Sequence, residues 1–116
     1  MEYYHVIHTE ARDGFDIIVD QRAEDAAIRD MFDDTCHDIA ELQDKVNRGV
    51  YDWFMLRVRA MLDGHEMARE YLGGCMYEDC REVLKDGTAE DLIQEAVHNA
   101  RKECQRLRDK LIKVAG

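Results

Sequence analysis

The 116-residue chain contains no proline and no serine, and only seven glycines. Without serine there is no seryl nucleophile, which excludes the acyl-transfer chemistry built on that residue. The lack of proline and scarcity of glycine predict regular elements joined by tight turns. No run approaches the ~18 apolar residues that a membrane span needs. The opening segment MEYYHVIH has no basic stretch ahead of an apolar one, so no signal peptide is expected and a cytoplasmic location is. Cysteine occurs four times, at 36, 75, 80 and 104, but never as a CxxC pair. That spacing fits neither a disulfide scaffold nor a local zinc site, so buried thiols are expected. P-loop, GxGxxG and HExxH patterns are missing as well. Nothing in the sequence names a catalytic residue, a metal ligand set or a cofactor, and a non-enzymatic role is the leading expectation.

What the chain has is charge, unevenly placed. Its 26 acidic and 16 basic residues give a net charge of −10. Residues 1–90 carry 22 acids against ten bases, whereas residues 101–116 carry six bases against two acids. Binding to a phosphate backbone draws most of its energy from Lys and Arg, so direct nucleic-acid binding is disfavoured for the acidic part. An acidic body with a basic tail suits a protein that binds other proteins, its own copies included. Apolar residues make up 46% of the chain, enough to exclude general disorder. A single domain of this length buries roughly 65% of its unfolded surface and needs no disulfide or metal staple. Two parts are expected within it: an acidic α+β body over residues 1–88, and a helix over 89–116 that belongs to the same domain or serves oligomerisation.

Two Asp-Gly pairs, Asp13-Gly14 and Asp63-Gly64, punctuate the sequence. Each lies between runs rich in aromatic, apolar or β-branched residues, the strongest short signal for a hairpin. The first hairpin is predicted from residues 3–10 and 15–20, its loop being two or four residues. The second is predicted from 50–62 and 65–77. Residues 65–72 (HEMAREYL) also satisfy a helical reading, since so short a run does not arbitrate. Gly73-Gly74 indicates a bulge or a close backbone approach. Between the hairpins, Thr35 is expected to cap a helix of about 13 residues that ends at Gly49. A short helix is predicted over 78–85, and Thr88 is expected to cap the last one. The resulting order is hairpin, helix, hairpin, helix (ββαββα): a four-stranded antiparallel sheet with helices on one face and a long C-terminal amphipathic helix. In that last helix Ile93, Val97, Ala100, Cys104, Leu107, Leu111 and Val114 keep heptad spacing. They form either a stripe lying on the chain's own sheet or an oligomer seam, with a dimer favoured.

Candidate site residues follow from this layout. Trp53, Met55, Arg57, Arg59 and Met61 share one face of the third strand. Trp and Arg are favoured anchors of protein interfaces, so this set is a candidate partner-binding face; the alternative is that Trp53 packs under a loop and the arginines answer nearby acids. Arg57, Arg59, Gly73 and Gly74 are the candidate phosphate contacts should the chain bind a nucleotide. The acids Asp30, Asp33, Asp34, Asp38 and Glu41 form a dense cluster, read as a solvated face with helix-start acids. His5 and His8 are expected on opposite faces of the first strand, unable to act together.

The strings RDGFDIIVD, YDWFMLRVRAMLDGHE and YLGGCMYED, together with FDDT, resemble a family of small uncharacterised proteins from tailed-phage genomes. The likeness covers most of residues 1–95 and fades along the tail. It transfers no activity and no site residue. It implies a phage-encoded protein acting in bacterial cytoplasm, in host takeover or anti-defence. The expected function is then a non-enzymatic inhibitor or modulator of a host nucleic-acid-handling or defence protein. The alternatives are a nucleotide or small-molecule binder, conceivably an enzyme, with a site between protomers, and an oligomeric accessory or regulatory subunit.

Overall fold

The structure, a computed structural model, describes residues 3–116. Strands β1 (His5–Arg12) and β2 (Phe15–Ala23) form the first hairpin, and β3 (Asp52–Leu62) and β4 (His65–Tyr77) the second. Both turns are two-residue loops, closed by Arg12 opposite Phe15 and by Leu62 opposite His65. In each, Asp and Gly both take positive φ: 54° and 87° at Asp13-Gly14, and 48° and 81° at Asp63-Gly64. That is the type I′ geometry whose twist matches the flanking strands. The four strands make one antiparallel sheet in the order β1-β2-β3-β4. The fold is α+β. Residues 65–72 are strand: HEMAREYL pairs along β3, and tertiary pairing settles what local periodicity left open.

Between the hairpins run a one-turn helix, α1 (Ile28–Met31), and α2 (Ile39–Asn47). Helix α2 starts later than expected. Asp38 is its N-cap, accepting the Glu41 N–H at 3.1 Å, while Thr35 is held in a turn by Asp33. Gly49 follows the C-cap at φ 77°, the left-handed position expected of it. After β4 come a 3₁₀ turn (Cys80–Leu84) and α3 (Thr88–Ala115). Gly87, not Thr88, occupies the N-cap of α3, and the Thr88 hydroxyl lies 3.1 Å from that of Tyr77.

Helix α3 covers one face of the sheet. Its Ala89, Leu92, Ile93, Ala96, Val97 and Ala100 pack on Phe15, Ile17 and Val19 of β2 and on Phe54, Leu56, Val58 and Ala60 of β3. These residues alternate along each strand, so a single face supplies the core. Burying them stabilises by about 1.5–3 kcal/mol for each large side chain. The small Ala60, Ala96 and Ala100, all fully buried, let helix and sheet approach closely. The second half of α3 runs past the hairpin tips. The molecule measures 62 × 29 × 25 Å with a radius of gyration of 17.5 Å, against about 13 Å for an average domain of this length. No described helix is long and apolar enough to cross a membrane.

Candidate functional site

Residues 24–51 leave β2 and return to β3 at the end of the sheet opposite the hairpin tips. Trp53 organises this end. Its indole N–H donates to the Ala26 carbonyl at 2.9 Å, its own carbonyl accepts the Glu24 N–H, and its ring lies 5.8 Å from Phe32. Trp53 thus lies against the connector and anchors it, on the face opposite α3. Helices do not all share one face: α1 and the chain around it lie beside Trp53, while α3 lies across the sheet.

Gly73-Gly74 is a bulge, two residues facing Met55 alone. Gly74 has φ 68°, and a Cβ there would come within 2.6 Å of the Met31 side chain, so the backbone approach is close as well. The Gly74 N–H donates to the Glu24 carboxylate at 3.1 Å.

Along the open face, Asp20 of β2 stands directly opposite Arg57 of β3. Asp20 is 1% exposed. Arg57 grips it in a fork, Nε to Oδ1 at 2.8 Å and Nη2 to Oδ2 at 2.6 Å, and stacks its guanidinium 3.5 Å from the centre of the Tyr4 ring. Arg59 reaches the same carboxylate at 3.3 Å, leaving its Nε buried without a hydrogen-bond partner among the described residues. The hydrogen bond to Asp20 holds the Arg57 pKa above its ordinary value, against the opposing cost of burial. Met55 and Met61 lie half-buried beside the arginines. Of the candidate phosphate contacts, Arg57, Arg59 and Gly74 each already engage a carboxylate, which a phosphate would have to displace. Sequence reasoning missed Asp20 and Tyr4. Asp20 at the end of FDIIVD was visible, but matching it to Arg57 requires the β2–β3 register.

The acid cluster resolves into separate tasks. Asp33 accepts the Thr35 N–H and hydroxyl, and Asp38 caps α2. The lobe of residues 24–51 is nevertheless acidic, with eight acids against three bases, Arg29, Lys45 and Arg48. Helix α2 has no buried residue, and Ile39, Leu42 and Val46 are only half-covered. The basic tail lies at the other end of the molecule, beyond the hairpin tips.

The seven heptad residues divide by place. Ile93, Val97 and Ala100 are within the chain's own core. Cys104 and Leu107 are half-buried, with Cys104 packed against that core. Leu111 and Val114 are 66% and 80% exposed. A seam open to a second chain therefore begins only beyond Ala100.

The histidines need one correction. A register shift between Val6 and His8 sets His5 opposite Gln21 and His8 opposite Val19, so the bulge breaks the alternation that would have put them on opposite faces. His8 pairs with Glu10 at 3.0 Å. None of the four cysteines forms a disulfide. Burial pushes the Cys75 thiol up to about 11, and burial likewise raises Cys80. Asp52, Asp79 and Cys80 bring one ligand atom each within 4.8 Å of the others. There Asp52 accepts the Cys80 N–H and Asp79 the Arg81 N–H, and the raised thiol favours its proton over a cation. No family model, no curated protein and no solved structure matches the chain.

Proposed function

We propose that this chain is a non-catalytic binding protein that presents its acidic lobe to a basic, nucleic-acid-handling surface of a partner protein. The observation that carries this reading is the lobe itself. Eight acids lie within residues 24–44, around a helix that buries no residue of its own. An excess of negative charge held at one end of a 62 Å molecule, away from the basic tail, gives a field that steers a basic partner to that end. The half-covered Ile39, Leu42 and Val46 would add apolar contact once the partner is seated. The resemblance to tailed-phage proteins would place that partner in a bacterial host, where occupying such a surface inhibits or modulates the enzyme.

A tagged pull-down from bacterial lysate at low and at physiological salt tests this. A nucleic-acid-handling protein should be retained at low salt and lost as salt rises, because charges separated by more than about 8–10 Å are screened under those conditions. Neutralising Asp30 and Asp34 to asparagine should release it without changing the melting curve, since both are exposed and neither caps a helix. Capture that is insensitive to salt and to these substitutions would overturn the reading. Strong stabilisation by a nucleotide alone would favour a small-ligand site instead.

A further inference from the structure

The projecting half of α3 does not stand free of the body on all sides. Between its underside and the tip of the second hairpin runs an apolar groove of about 480 Å³, floored by Leu62, Met67 and Leu107. The helix continues about 22 Å beyond Ala100, its last fully buried residue. On that extension Leu111, Ile112 and Val114 are 66%, 58% and 80% exposed. Leu111 and Ile112 also form the outer wall of the groove, so groove and ridge make one continuous apolar patch. We infer that this patch is a two-fold interface, in which a second copy of this chain lays its α3 ridge into the groove of the first and receives the reciprocal contact.

Self-complementarity is the requirement of a two-fold interface, where the same surface must give and accept. Charge selects the occupant. Arg108, Lys110 and Lys113 flank the ridge and form no ion pair among the described residues. At the adjoining rim, beside Leu62 and Met67, Asp63 forms no ion pair among the described residues, whereas Glu66 is already held by Arg69 at 2.7 Å. A copy seated by the two-fold brings its unpaired bases over Asp63, and its ridge onto the groove floor. Two tails aligned side by side and parallel would instead set bases against bases. The favoured arrangement is thus antiparallel, each tail crossing the other copy's hairpin tip. This contact lies at the opposite end of the molecule from the acidic lobe, so it stands or falls independently of the partner proposed above.

Sedimentation of the full chain over a range of concentrations is the test. The expected species is a dimer of the 13.6 kDa chain, weakening as salt rises. Replacing both exposed apolar residues, Leu111→Asp with Ile112→Asp, should weaken association by about thirtyfold or more while leaving the single chain's melting curve in place. Reversing the flank, Lys110→Glu with Lys113→Glu, should weaken it by about tenfold without touching apolar packing. A chain that is monomeric throughout would overturn the inference. So would a dimer that survives both double variants, or open-ended polymers, which would signal a head-to-tail contact. Vesicle binding by a monomeric chain would reassign the ridge to a lipid surface and overturn it as well.

Discussion

At the scale of single residues, the most consequential group is Asp20, a carboxylate with 1% exposure on the face of the sheet that α3 does not cover. Its charge is tolerable only because Arg57 meets it in a fork and Arg59 adds a third contact. Removing one partner of such a pair leaves the other desolvated, at a cost of about 3–5 kcal/mol. Asp20→Ala should therefore shift the denaturant midpoint strongly. Arg59→Met should shift it far less, because Arg59 holds the carboxylate at 3.3 Å and already leaves its own Nε unpartnered among the described residues. Equal effects of the two substitutions would contradict this division of roles. The thiols offer a second check. Cys36 is exposed, whereas Cys75 is buried and pushed up to about 11. A thiolate-selective reagent at neutral pH should modify Cys36 first and reach Cys75 only on unfolding.

At the scale of elements, the glycine bulge of β4 and the overhang of α3 behave oppositely. Gly74 has φ 68°, a conformation that costs any side chain, whereas the nearby end of Met31 is free to swing aside, so the strain of Gly74→Ala falls on the backbone. A loss of about 1–3 kcal/mol is expected, read from a thermal or denaturant melt. Truncation of α3 separates what the fold needs from what projects. Ending the chain after Arg108 removes only exposed side chains and should change the stability of the dissociated single chain by about 0.5 kcal/mol or less, while removing the proposed two-fold contact. Ending it after Ala100 strips Cys104 and Leu107 from the hairpin and should cost about 1–2 kcal/mol. Both hairpins were legible in the sequence, because Asp-Gly dictates a two-residue turn through backbone sterics alone. The start of α2 was not. Thr35 and Asp38 are both acceptable caps, and the choice fell to Asp38 because Asp33 ties Thr35 into its own turn.

At the scale of the whole molecule, acid response follows from ion pairs and hydrogen bonds that tie elements together. The Arg12 side chain reaches from β1 to Glu90 on α3, and the hydrogen bond it donates holds the Glu90 carboxyl below its ordinary 4.5. Tyr77 on β4 does the same for Asp86 ahead of α3, below its ordinary 3.8. Groups with lowered folded-state values contribute stability above their unfolded pKa and lose it as pH falls through the folded one. The melting temperature should therefore hold at neutral pH and begin to fall once pH drops below about 4.5, continuing below 3.8. Both carboxylates are largely solvated, so the decline should be gradual and should shrink in high salt. A melting temperature that rises on acidification through this window would show that relief of net negative charge outweighs these contacts.

Local chemistry in the sequence determined the turns, the alternation of β3, the left-handed Gly49 and the bulge at Gly73-Gly74. Each depends on residues only a few positions apart. The same holds for the split between an acidic body and a basic tail, which is a property of composition. Tertiary structure alone decided where those pieces stand. The β2–β3 register, set across 37 positions of chain, turned Arg57 from a candidate anchor into the clamp on Asp20. The path of the connector placed Trp53 against Ala26 and carried the acidic lobe to the end of the sheet away from the tail. The length of the sheet divided one continuous heptad at Ala100, with core on one side and an open ridge on the other. A periodic stripe shows which residues share a face of a helix. How far that face is covered depends on the extent of the surface it meets.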